Sequence, residues 1–88
     1  MATTHPPVDL EQAPLMVLRH VLWHFGDANL GLRPSHFVER LLMLFAAADE
    51  VNFVRLRREF PEYAHAFTVI QRVEGGLDRA RTIVMDAL

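Results

Sequence analysis

The stretch that most constrains this chain is Pro34 to Ala48, PSHFVERLLMLFAAA, which reads as one helix apolar on most of its circumference. At about 100° per residue, Phe37, Leu41, Leu44 and Ala48 form a tight stripe. Val38, Leu42 and Phe45 widen it to roughly half the cylinder, and the far side also carries Met43, Ala46 and Ala47. A helix this apolar is expected to be buried by neighbours on several sides. Pro34 suits its first position, where a missing N–H costs nothing, and its length of ~22 Å matches the width of a small domain. The expectation is therefore an all-α, compact four- to five-helix single domain in which this helix is central and the others pack on it.

With 88 residues the chain is one domain. An apolar fraction of 51% opposes disorder and leaves apolar side chains over for a partner surface. Cysteine is absent, which excludes a disulfide framework and a thiolate metal site. Only short apolar runs occur, so neither a membrane span nor a secretory signal is expected, and a cytoplasmic protein is. Nine basic residues, all arginine, leave a net charge of −2. That balance is poor support for non-specific nucleic-acid binding and far from the strong negative charge of a DNA mimic.

In chain order, residues 1–8 are expected to form a flexible tail and residues 9–88 a single helical domain. Asp9 and Gln12 resemble a capping box, but Pro14 favours a first helix that starts near Ala13, runs to about Phe25 and is capped by Gly26. Leu15, Leu18, Val21, Leu22 and Phe25 share one of its faces, while Met16 and Trp23 lie on another, with His20 and His24 beyond. Residues 27–33 are a loop. Asp49 is an N-cap for a third helix over about 50–60, with Phe53, Leu56 and Phe60 inward. Pro61 and Glu62 open a fourth helix whose core face is Tyr63, Ala66, Phe67, Ile70 and Val73. Beyond Gly75-Gly76, a last helix turns Leu77, Ala80, Val84, Ala87 and Leu88 inward.

The run from Gly31 to Phe67 resembles a group of small uncharacterised proteins from phages and genomes of actinobacteria. Gly31, Leu32, Pro34, Asp49, Asn52, Leu56, Phe60, Pro61 and Tyr63 carry the resemblance. It implies a tailed phage or prophage of a GC-rich host as the source, and brings no activity and no functional residue.

Residues that could carry chemistry have structural explanations. His20 and His24 have the i, i+4 spacing of a metal pair. No HExxH pattern surrounds them, a third ligand would have to come from His5, His36 or an acid, and two solvent-facing histidines are expected. Arg55, Arg57 and Arg58 are the basic cluster, with Arg55 and Arg58 within i, i+4 reach of Glu59 and Glu62. Arg57 projects between Phe53 and Phe60, either as a snorkelling side chain or as an anchor for an acidic group. A helix-turn-helix reading of helices 2 and 3 meets Asp49 and Glu50 where phosphate would lie. The one serine, Ser35, is placed to cap a helix, and no nucleophile set or phosphate loop is present, so no enzyme is expected.

What remains is surface. Trp and Met are enriched at interface cores, which makes Met16 and Trp23, rimmed by Arg19 and His20 and joined by Arg57, the candidate interface residues. The function expected is a small protein-interaction module that binds a host or phage protein or itself, with a DNA-binding regulator as the alternative. No cofactor, metal, membrane or small-molecule substrate is expected.

Overall fold

A computed structural model describes residues 10–88; the expected tail over 1–8, and with it Asp9 and His5, lies outside the described residues. Five helices follow in order: α1 Leu15–His24, α2 His36–Ala47, α3 Glu50–Glu59, α4 Pro61–Arg72 and α5 Gly76–Ala87. The chain is a small all-α single domain, with no strand among the described residues.

The helix ends follow local chemistry. Ser35 accepts from the Val38 N–H at 3.3 Å and starts α2, so that Pro34 precedes the helix. Asp49 accepts from the Asn52 N–H at 2.8 Å and starts α3. Pro61 occupies the first position of α4. Gly26 and Gly75, both at positive φ, reverse the chain after α1 and before α5.

Tertiary packing redistributes the roles expected of these helices. The helix over 34–48 forms, but α4 takes the centre, packing against α1, α2, α3 and α5, whereas α2 packs on α1 and α4. Ala64, Ala66, Phe67, Val69 and Ile70 are all buried, which places them around much of α4 rather than along one stripe. Phe67 fills the middle of the domain, its ring 5.2 Å from Phe25, 5.6 Å from Phe45 and 5.7 Å from His24. Phe45 in turn meets Phe53 at 5.4 Å, which ties α3 to the same aromatic group. Small side chains on α4 let its neighbours come close. At the start of α5, a Cβ on Gly76 would overlap the Val69 backbone, so glycine is required there by space. Leu10, ahead of α1, is fully buried and completes the core.

On α2 the buried residues are Leu41, Leu42 and Phe45, with Val38 packed beside them. That face is turned by about a quarter of the cylinder from the expected stripe, and Phe37 and Leu44 stay 64% and 55% exposed. The last turn of α5 likewise leaves Ala87 and Leu88 exposed, contrary to expectation.

The placement of these side chains sets their energetic weight. Phe67→Ala should cost about 3–5 kcal/mol of stability through lost contacts and cavity formation, whereas Leu44→Ala should cost about 0.5 kcal/mol or less. Urea unfolding of the two variants measures both values. Similar losses would contradict the central place of α4.

Candidate functional site

The five residues expected at an interface do not form one surface. Met16 is half exposed on α1. Arg19, beside it, is engaged within the fold, its Nε donating to the Leu30 carbonyl at 3.0 Å while its own carbonyl accepts from the Leu32 N–H at 3.0 Å. These bonds hold the 27–33 loop against α1. A Cβ on Gly31 would sit 2.6 Å from the Trp23 Cα and N, so the loop touches the helix backbone there. Trp23 is half-buried, with the Arg33 guanidinium 5.7 Å from its ring centroid, a cation–π arrangement. Arg57 belongs to a different region, a groove between α3 and α4 that it shares with Phe53, Thr68 and Arg72.

The histidines are also inside the fold's contacts rather than facing solvent. His20 Nδ1 lies 2.8 Å from the Tyr63 hydroxyl and the two rings are parallel to within 1°. His24 packs edge-on against Phe25 and tilted against Phe67. Both belong to the seam between α1 and α4. Burial lowers both imidazoles below their ordinary 6.5. The Tyr63 hydroxyl is pushed above 10.0 by burial and by the neighbouring Glu62 charge. Among the described residues no group of three or more His, Asp or Glu side chains is placed to hold a metal ion.

The other organised polar group is also structural. Asp27 accepts from the Leu30 and Asn29 N–H groups at 2.9 and 3.0 Å and from Arg81 Nε at 2.9 Å. The Leu30 hydrogen bond, helped by Arg81, holds this carboxyl below 3.8. The pair fastens α5 to the loop, and Arg79 adds a second tie by pairing with Glu11.

The larger uncovered surface lies on α2 and α3. Phe37, Met43 and Leu44 are each more than half exposed, as is Val51 at the start of α3. Phe37 meets Phe60 at 5.9 Å, and Phe45 meets Phe53, so side chains span the two helices at both ends. Between them opens a hollow of about 390 Å³ lined by Leu44, Ala47, Ala48, Asn52, Arg55 and Leu56, with Asp49 at its end. Beside it, Arg40, Met43, Leu44 and Ala47 form an open strip along α2 that shares Leu44 and Ala47 with the hollow. Periodicity points to this helix but not to its exposure, because an apolar face reads the same whether a neighbour covers it or not.

The expected Arg55–Glu59 and Arg58–Glu62 pairs do not form: the ion pairs among the described residues are those of Arg33, Arg79 and Arg81. Arg55, Arg57 and Arg58 thus stand outside every ion pair of the described residues. Asp49 and Glu50 stand at its N-terminus.

No protein-family model matches this chain, and comparison with curated proteins and with solved structures yields no match.

The α1–α4 seam predicts a pH dependence. In the unfolded chain His20 and His24 take up protons near 6.5, whereas in the fold they do so only at lower pH. Their contribution to stability is therefore present above 6.5 and lost as pH falls from there through their lowered values. The loss from Asp27 lies further down, below 3.8. Thermal unfolding of the wild-type chain should weaken just below pH 6.5, and a His20→Gln/His24→Gln variant should show a flatter profile in that window. An unchanged profile would contradict the assignment.

Proposed function

We propose that this chain is a small non-enzymatic interaction module, encoded by a phage or prophage of a GC-rich host, that binds a host or phage protein through the apolar face of α2 and α3. The observation that carries this reading is the uncovered side of α2, where Phe37, Met43 and Leu44 are each more than half exposed beside a hollow. Each large apolar side chain left in water forgoes up to about 1.5–3 kcal/mol of burial. Apolar patches on soluble domains commonly mark binding sites. The resemblance of residues 31–67 to actinobacteriophage proteins supports the source. Several residues that could do chemistry have structural roles: Ser35 and Asp49 cap helices, Asp27 holds a loop and His20 pairs with Tyr63. Met16 offers a smaller surface on α1, because Trp23, Arg19 and His20 are engaged within the fold.

One observation favours DNA binding as a second reading: Arg55, Arg57 and Arg58 are outside every ion pair of the described residues. The acids at the head of α3 oppose it, because a recognition helix places its N-terminal residues against the nucleic acid.

Affinity capture of the tagged chain from nuclease-treated actinobacterial lysate separates these readings. The wild-type chain should retain a stoichiometric protein as salt is raised, Leu44→Glu should lose it, and Met16→Glu should keep it, with helicity by circular dichroism equal in all three. Loss with Met16→Glu alone would return the interface to α1. Binding to a nucleic acid that falls steeply with salt would favour the regulator.

A further inference from the structure

We infer that the α2–α3 groove accepts an amphipathic helix whose apolar ridge is flanked by acidic side chains. This rests on the interaction reading above and adds the chemistry of the partner. The hollow between α2 and α3 and the open strip along α2 adjoin at Leu44 and Ala47. Their walls are apolar, from Met43, Leu44 and Leu56, and the small Ala47 and Ala48 leave room for a helix to approach closely. Helix-in-groove recognition uses such a surface, with anchors at i, i+3 or i+4, and i+7. Strand addition has no template, since the described residues contain no sheet edge.

Charge selects among possible helices. Arg40 lines the surface on α2 and Arg55 on α3, and neither belongs to an ion pair among the described residues. The one acid in the lining is Asp49. Its Oδ1 accepts from the Asn52 N–H at 2.8 Å and its Oδ2 from Asn52 Nδ2 at 3.4 Å, so both oxygens are engaged at the head of α3. Glu59, one turn beyond Arg55, is outside the lining. Apolar surface with an available guanidinium on each helix, Arg40 on α2 and Arg55 on α3, is complementary to an apolar ridge accompanied by carboxylates. A second copy of this chain fits less well. A two-fold contact presents the same patch from both sides, which would gather four arginines against two Asp49 carboxylates around one apolar seam.

The test is selection from a phage-displayed library of helical peptides about 16 residues long, ~24 Å as a helix. The library is panned on the immobilised full chain and counter-panned on Leu44→Glu, whose fold is checked by circular dichroism. Peptides that require Leu44 should carry apolar anchors at helical spacing with Asp or Glu beside them. A representative peptide should bind an Arg40→Glu/Arg55→Glu variant about tenfold or more weakly than wild type, and its Lys-flanked twin should show the reverse preference. Leu44-dependent peptides without acidic flanks, or indifferent to the two arginines, would overturn the inference and leave the interaction reading standing. A Leu44-dependent dimer in sedimentation, with no Leu44-dependent peptide, would overturn it in favour of a second copy. The lack of any Leu44-dependent ligand or dimer would overturn both.

Discussion

The packing of Phe67 against Phe25, Phe45 and His24 is the interaction on which the rest of the domain depends. It joins α4 to α1 and α2 through one side chain, and Phe45 passes the contact to Phe53 on α3. A domain this short buries limited surface, so a residue that serves several helices at once matters more than its own area suggests. Ala64 and Ala66 are fully buried on the same helix, and Gly76 brings α5 against Val69. Small residues around one large aromatic let four helices gather on a fifth.

That arrangement has a consequence for α2. Once α4 occupies the centre, α2 needs to cover only one side of it, and Leu41, Leu42 and Phe45 suffice. The rest of an unusually apolar helix then remains in water, along with the hollow beside α3. The exposure on which the proposed function rests is thus a product of helix placement rather than of loose packing. Polar tethers elsewhere act in the opposite sense. Asp27, Arg19 and Arg81 hold the 27–33 loop and α5 in place and close off most of the α1 surface.

Several features were legible in the residues themselves. The helices follow from caps and breakers that act within a few positions, Ser35, Asp49, Pro61 and the positive-φ glycines, although Pro34 and Ala48 fall outside α2 and α1 starts only at Leu15. The aromatic positions Phe53, Phe60 and Phe67 were identifiable as inward-facing from periodicity alone. The proposed groove was legible only in part. Its residues stood out as apolar, but a periodic stripe does not record which neighbour covers it. Arg55 has Glu59 one turn along α3, a pairing the fold does not use, and the break at Phe60 and Pro61 separates Arg58 on α3 from Glu62 on α4.

Residue type and local hydrogen bonding set the all-α class and the approximate extent of each helix, and composition excludes a thiol. The central place of α4 rather than α2, the seam that holds His20 and His24, and the exposure of Leu44 and Phe37 on α2 arise from packing between helices. The physical reason is that burial belongs to pairs of surfaces. A helix carries its own hydrogen bonds and hydrophobic stripe, but which stripe is covered depends on the shape and small residues of the helices around it.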